Sequence, residues 1–259
     1  MQAQEPRPKV TIITACFQSE ETIAATVESV LSQTWPNIEY LVIDGGSRDQ
    51  TLARIEPYRD RIAKIVSEKD QGIYDALNKG ISLASGEIIG FLHSDDRFAH
   101  PRAVENLVKA VLQDQSDGVY SDLEYIRTKG SEESVLRHWR SEPFQSGLLA
   151  RGWMPPHPTL YLKRKVYETL GGFDLRYAIA ADYDFILRAF QRSDFRWSYL
   201  PEVTVQMRVG GASNRNFEQM WKKSREDFAI LSHHGISPWF ALFLKNISKI
   251  PQFLTRNSL

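Results

Sequence analysis

Val10-Thr11-Ile12-Ile13-Thr14-Ala15 and Ile38-Glu39-Tyr40-Leu41-Val42-Ile43-Asp44-Gly45-Gly46-Ser47 are the stretches on which the fold turns. Each is short, apolar and β-branched, the composition of a strand buried on both faces. The second halts on an acid and two glycines, a turn sequence. Between them, Ile23, Val27, Val30 and Leu31 recur at helical spacing behind Ser19-Glu20-Glu21-Thr22, which reads as a serine-capped helix with an acidic first turn that ends at Trp35-Pro36-Asn37. A second helix is expected over about 49–58 and a third strand over 62–66, so strand and helix alternate three times. Alternation of this kind predicts a mostly parallel sheet with helices on both faces, an α/β fold.

Outward from there the alternation continues. A helix is expected over 73–83, a turn at Ser85-Gly86, a strand over 88–92, a helix over 101–112 with proline in its first turn, and a strand over 118–122. After about Tyr125 the pattern loosens. Lys129-Gly130 reads as a hairpin turn, 159–162 as a strand and 165–170 as a short helix closed by Gly171-Gly172. A stronger helix covers 182–192, with Phe185, Ile186, Ala189 and Phe190 on its apolar side. The simplest partition is a catalytic domain over 1–216, with halves at about 9–125 and 126–216, and a helical C-terminal extension over 217–259.

Composition narrows the class. Of 259 residues 42% are hydrophobic and 25% charged, which excludes a mainly disordered, collagen-like or multi-span membrane chain. The 32 basic and 32 acidic side chains cancel, so no chain-wide attraction to nucleic acid is expected. Cys16 is the sole cysteine, which rules out an internal disulfide and a thiolate zinc cluster and fits a reducing cytoplasm. Residues 1–9 are polar and hold no apolar core, so no signal peptide is expected there.

The chemistry is expected beyond the carboxyl ends of the strands, where open α/β sheets bind ligands. Those ends carry Thr14-Ala15, Asp44 and Asp95-Asp96. The plain reading is turn chemistry. It is weakest for Asp95-Asp96, because adjacent carboxylates repel and a divalent cation bridging phosphate oxygens would relieve them. The chain has neither a Gly-x-x-x-x-Gly-Lys-Ser/Thr loop nor a Gly-x-Gly-x-x-Gly after its first strand, which disfavours an ordinary ATPase or a Rossmann dehydrogenase.

Four motifs in order carry a resemblance. Thr11-Ile12-Ile13-Thr14-Ala15-Cys16-Phe17-Gln18, Leu41 through Thr51, Glu68-Lys69-Asp70-Gln71-Gly72-Ile73-Tyr74-Asp75-Ala76-Leu77-Asn78-Lys79-Gly80, and Ser85 through Asp96 resemble the nucleotide-binding half of the family 2 inverting glycosyltransferases of GT-A fold. Phe173-Asp174, Tyr177 and Ala181 through Arg188 resemble that family's acceptor side, and the likeness spans about 9–215. It implies that Thr14 and Ala15 lie against the nucleotide base, that Asp44 holds base or ribose, that Asp70 belongs to a loop covering the nucleotide, and that Asp95 faces ribose or sugar. Asp96 would coordinate Mg²⁺ or Mn²⁺ on the diphosphate. The first position of the degenerate Asp-x-Asp motif is Ser94 or His93 here, which leaves the metal fewer carboxylates. Asp182 would be the general base, with Asp184 its competitor. The two cannot both serve, since residues two apart on a helix do not share a face.

Weaker candidates are His157 in the stiff Pro155-Pro156-His157-Pro158-Thr159 segment, and Arg208 and Ser213 on a Gly210-Gly211 lid reaching phosphates. Trp153 reads either as a stacking surface for an acceptor sugar or as packing. The implied partners are a nucleotide-diphosphate sugar donor and a saccharide or lipid-linked acceptor of surface polysaccharide or glycolipid synthesis. No nucleic acid partner is expected, and a homodimer stays open. Two other readings remain: a nucleotidyltransferase on a related fold, and a binding module that has lost activity. Finally, 237–256 combines Trp239, Phe240, Phe243 and other apolar residues with Lys245, Lys249 and Arg256. That suits a helix lying on an anionic membrane, peripheral on the inner face of the cell membrane, or else a segment packed on protein.

Overall fold

The alternating apolar strands at the head of the chain pair as their composition requires. The computed structural model describes residues 7–129, 132–209 and 217–247. In chain order its elements are β1 (Val10–Cys16), α1 (Ile23–Leu31), β2 (Ile38–Asp44), α2 (Thr51–Ile55), β3 (Lys64–Ser67), α3 (Ile73–Leu83), β4 (Ile88–Phe91), β5 (Asp96–Phe98), α4 (Ala103–Gln113), β6 (Gly118–Lys129), β7 (Glu132–Trp139), β8 (Tyr161–Lys163), α5 (Arg164–Leu170), α6 (Ala181–Phe190), β9 (Trp197–Arg208), α7 (Phe217–His233) and α8 (Pro238–Ile247).

Among the described residues, nine strands form one sheet in the order β3-β2-β1-β4-β8-β6-β9-β5, with β7 beside β6. β1 to β4 are mutually parallel, Val10 standing opposite Ile38 on one side and Ile88 on the other. β8 runs against both β4 and β6, and β6 runs with β9. β5 and β7 are antiparallel to their neighbours β9 and β6. Strands β1, β2, β3, β4, β6 and β9 thus share a direction, and the sheet is mostly parallel. Tyr161 of β8 crosses Gly90 of β4 so closely that a Cβ there would stand 2.3 Å from its ring, so this position admits only glycine.

The period of two along the strands sorts the core into two layers. Ile13, Ala15, Leu41 and Ile43 face α3, α5, α6 and the inner sides of α7 and α8. Val10, Ile12, Tyr40 and Val42 face α1 and α4.

Several local expectations are corrected. Ser19 does not cap α1 with its side chain: its carbonyl accepts from Thr22 and Ile23, and the helix starts at Ile23. The helix expected over 49–58 is split, since Pro57 falls at the start of a 3-10 turn over Glu56–Arg61. Thr159 belongs to a 3-10 turn over His157–Thr159, and β8 begins two residues after it. The strand expected over 118–122 runs on to Lys129 and pairs with β7 as a hairpin, with Gly130 outside the described residues.

Asp184 shows how α6 is held. Its carboxylate accepts from Arg188 Nε at 2.8 Å and lies 3.0 Å from His234 Nε2, while Arg188 also donates to the carbonyls of Leu170 and Gly172. One buried acid therefore joins α6 to the end of α5 and to the α7–α8 connection. Burial works to raise its pKa, but His234 and Arg188 outweigh burial and hold it below the ordinary 3.8. A carboxylate depressed in the folded state stabilises above its unfolded pKa and loses that contribution as pH falls through the folded value. Asp184→Asn is therefore expected to cost about 1.5–3 kcal/mol at neutral pH. In thermal melts the gap to the parent should narrow once pH drops below about 3.8. A gap that persists unchanged in acid would show that the charge is not the stabilising feature.

Candidate active site

The sheet delivers its acids to one edge, and their surroundings differ sharply. Asp44, the last residue of β2, is fully buried. Its carboxylate accepts from Ser47 Oγ at 2.5 Å, Ser67 Oγ at 2.6 Å, Ser47 N at 3.0 Å and Gly46 N at 3.2 Å. The Cys16 thiol also points at it from 3.8 Å. Burial, and then Asp44, push that thiol's pKa far up, so Cys16 is inert. Asp44 thus spends its oxygens on folding the turn 45–47. Thr14 is likewise inside the sheet, its hydroxyl accepting from Tyr40 at 3.1 Å, and Ala15 is buried beside it.

Asp70 reaches over the Asp44 turn. One oxygen accepts from Gly72 N at 3.0 Å, and the other lies where a Cβ on Gly45 would stand 2.4 Å away. The first of the paired glycines is therefore there for the close approach of an acid.

The turn at 93–96 follows β4, closed by Asp96 N donating to His93 O at 3.0 Å. Ser19 and Ser94 hydroxyls meet at 2.8 Å, and Thr26 Oγ1 donates to Asp96 O at 2.7 Å, so the head of α1 secures the turn. Asp96 opens β5, opposite Met207 of β9. It is 1% exposed, and no side chain donates to either carboxylate oxygen, the Arg208 backbone N–H being the one donor near it. Burial and then the charge of Asp95 push its pKa well up, opposed by neighbouring Arg208. A buried carboxylate without a side-chain donor, next to a second acid, fits a cation ligand. Among the described residues no three His, Cys, Asp or Glu gather around a point, so Asp96 would be the one firm protein ligand, the rest coming from a bound diphosphate.

Asp182 lies in the first turn of α6, half-buried, and does not cap the helix. Tyr74 Oη, from α3, stands 2.9 Å from Asp182 Oδ1 and 2.7 Å from Ile179 O. Burial works to raise the Asp182 pKa, but His157, Lys223 and the Tyr74 hydroxyl hold it below the ordinary range. His157 is itself neutral near pH 7, because burial pushes its pKa down to about 4. At that pH the cation of Lys223 and the Tyr74 hydrogen bond therefore keep Asp182 ionised. His157 packs its ring on Phe91, Phe173 and His93, and its Nε2 is buried without a partner, so it lines the floor of the site. His93 is within electrostatic reach of both Asp95 and Asp182, which ties the two acidic ends to one imidazole.

Arg208 closes β9 beside Asp96, whereas Ser213 and the Gly210-Gly211 lid lie outside the described residues. Trp153 packs among Tyr120, Phe144 and Phe190, which is the packing reading.

Three contributors were not singled out from sequence: Tyr74, Lys223 and Glu226. Glu226 of α7 accepts from the backbone N–H groups of Ala178 at 3.2 Å, Ile179 at 2.9 Å and Ala180 at 2.9 Å. It thereby fixes the loop that aims Asp182. Tyr74 sits four residues after Asp70 within a quoted motif, while nothing marks Glu226 among the charges of Lys222-Lys223-Ser224-Arg225-Glu226-Asp227.

This edge of acids on a GT-A sheet is that of a sugar transferase, and the comparisons agree. The profile of Glycosyl transferase family 2 matches residues 11–174. An uncharacterised glycosyltransferase of Mycobacterium tuberculosis is 36% identical over 192 residues, 70% of this chain and 69% of that protein. A PGL/p-HBAD biosynthesis glycosyltransferase of Mycobacterium bovis is 28% identical over 212 residues, 80% of each chain. The chain belongs to glycosyl transferase family 2.

Among solved structures, Staphylococcus aureus TarS 1-349 in complex with UDP-GlcNAc has a TM-score of 0.65 at 19% identity, covering 95% of this chain and 78% of that one. A mannosyltransferase of Pyrobaculum calidifontis in complex with GDP-Man and Mn²⁺ also gives 0.65 at 19%, covering 95% and 70%. These likenesses carry the fold. The chain spans 47% of the longer TarS structure.

The Glu226 clamp makes a prediction. Glu226→Gln keeps the shape but gives up charge and an acceptor shared by two of the three N–H groups. The expected result is a fall in kcat of about tenfold or more with donor KM unchanged, because misaiming a reacting group costs rate rather than binding. Equal kcat in steady-state assays would remove Glu226 from the positioning of Asp182.

Proposed function

We propose that this chain is an inverting glycosyltransferase, moving a sugar from a nucleotide-diphosphate sugar to a hydroxyl of a saccharide or lipid-linked acceptor in glycolipid or surface polysaccharide synthesis. The observation that carries this reading is the contrast among the acids. Asp44 and Asp184 are saturated with donors, whereas Asp96 has no side-chain donor and Asp182 has one protein hydroxyl. Asp182 and Asp95, the neighbour of Asp96, both act on His93, so the two sparsely held acids belong to one site open to a ligand.

In this mechanism the acceptor hydroxyl attacks the anomeric carbon from the face opposite the diphosphate. Asp182 takes the hydroxyl proton as the new C–O bond forms and the bond to the leaving diphosphate breaks, so the configuration inverts. Ionisation below the ordinary carboxylate range keeps Asp182 ready to accept at neutral pH. Asp70, seated on Gly45, and Asp95 bind the nucleoside and sugar, with Thr14, Ala15 and Asp44 shaping the base pocket through the fold they hold. Asp96 would hold Mg²⁺ or Mn²⁺, which when bound neutralises charge on the departing diphosphate. Arg208 adds a cation at the same point. His157 and His93 exclude water from behind Asp182.

The donor class is supported by the UDP-GlcNAc and GDP-Man carried by neighbours of the same fold, the metal by the Mn²⁺ of the second, and the glycolipid acceptor by the PGL/p-HBAD relative. Among the described residues no helix is long and apolar enough to cross a membrane. Placement on the inner face of the cell membrane belongs to this reading, as the side on which nucleotide sugars are made.

Two measurements test it. Asp182→Asn should lower transfer by about 10²–10⁴-fold while donor affinity, read by calorimetry, stays the same. Normal turnover would exclude Asp182 as the base. Asp96→Ala should abolish the strengthening of nucleotide binding by Mn²⁺ without changing metal-free binding. A metal effect that survives the substitution would place the cation elsewhere.

A further inference from the structure

α7 and α8 fold back on each other, Phe228 meeting Trp239 at 5.2 Å, and their two sides are chemically opposite. The inner side is fully committed. Ile230, Leu231 and Ala241 are buried in the core. Ala241 O approaches Gly152 so closely that a Cβ there would stand 2.7 Å away. Glu226 holds 178–180, and Asp227 takes Lys245 at 3.0 Å. Lys245 is thereby corrected from its expected outward role. Its ammonium lies 3.8 Å from the Tyr183 ring centroid, drawn inward by Asp227 and the aromatic face.

The outer side of α8 is apolar. Trp239 is 78% exposed, Phe240 55% and Phe243 63%. These positions fall within about one quadrant of the helix. On α7, Trp221 and Met220 are exposed as well. The exposed Lys and Arg among the described side chains of the two helices are Lys222 and Arg225, and Glu226 and Asp227 turn inward, while the Glu218 side chain lies outside those described. Bare aromatic rings with a positive fringe form a surface that scattered apolar residues do not.

We propose that this surface docks onto an anionic lipid bilayer, with the α8 aromatics entering the interface and Lys222 and Arg225 facing headgroup phosphates. Charge selects this occupant over a second copy of the chain. A two-fold contact sets a patch against itself, which would bring Lys222 and Arg225 toward their own copies. An anionic surface instead neutralises them. Geometry gives docking a use. The helix that shows Trp221 outward holds the loop before Asp182 with Glu226 on its inner side, so docking sets that loop across α7 from the bilayer. That consequence rests on the glycosyltransferase reading of Asp182; the docking itself does not. Of the stretch read from sequence as membrane-seeking, 248–256 lies outside the described residues.

Sedimentation of the full chain with phosphatidylcholine vesicles, with and without phosphatidylglycerol, tests the proposal with no donor or acceptor present. The parent should partition onto the mixed vesicles. Phe240→Ser/Phe243→Ser should lower the partition coefficient about tenfold or more with an unchanged melting profile, because both rings are exposed and Trp239 keeps its contact with Phe228. Lys222→Glu/Arg225→Glu should lose about tenfold on mixed vesicles and nothing on neutral ones. Should the aromatic variant lose its fold, this charge variant still decides. Equal sedimentation of parent and variants, or no binding by the parent, overturns the proposal. So does a dimer, seen by light scattering, that the aromatic substitutions dissociate. Vesicle binding by a protein inactive in transfer would leave docking standing and count against the functional reading alone.

Discussion

A carboxylate withdrawn from water must be met by protons, cations or N–H and O–H donors, and the upper edge of this sheet is organised by how far each acid's demand is met. Asp44 receives two hydroxyls and two backbone N–H groups and becomes the hub of its turn. Asp184 receives an arginine and a histidine and becomes a tie between helices. Asp182 receives a tyrosine hydroxyl that Ile179 O also competes for, and Asp96 receives no side-chain donor. In Asp96 the cost of burial stays open, and a cation can settle it; Asp182 is kept charged by its neighbours with few hydrogen bonds of its own. Rigid saturated acids beside unsaturated ones give a site that is held in place without being quenched.

That arrangement spreads across the whole chain. The family profile ends at residue 174, after the nucleotide half, whereas the proposed base is Asp182 and its clamp is Glu226. α3 bridges the two parts: Asn78 exchanges two hydrogen bonds with the Phe173 backbone, at 2.9 and 2.8 Å, and Tyr74 reaches Asp182. The helix that follows the Asp70 turn thus also holds the Asp182 end of the site. The C-terminal helices are part of this machinery, since α7 supplies both Glu226 and the cation of Lys223 near Asp182.

The sheet was legible because its signal is local. Apolar β-branched runs ending in Asp44 and in His93 through Asp96 can only be buried strands with acids at their ends. What escaped depended on partners distant in sequence. Ser19 looks like a cap, yet its hydroxyl belongs to Ser94, 75 residues on. Asp44 looks like a free ligand until Ser67 is brought to it by β3. Glu226 resembles any solvated helix acid, and only folding lays the N–H groups of 178–180 against it. Lys245 reads as an outward cation because no pattern reveals that Asp227 stands one helix away. Side-chain type told which residues could do chemistry, while the tertiary contact decided which were still free to do it.

The same logic explains why a short helical pair can carry two opposite faces. Its polar groups are drawn inward by demands the catalytic half creates: three backbone N–H groups left bare before α6, and an aspartate that needs an ammonium. Meeting these uses Glu226, Asp227 and Lys245, leaving aromatic rings and the exposed Lys222 and Arg225 on the outside among the described side chains. An outer face of that kind is costly in water and gains only when water is removed, whereas the inner hydrogen bonds hold regardless. The strength of the inner face thus lets the outer one be poor as a protein surface, and an apolar, positively fringed surface near the proposed base Asp182 would be of use if the acceptor were presented by an anionic layer.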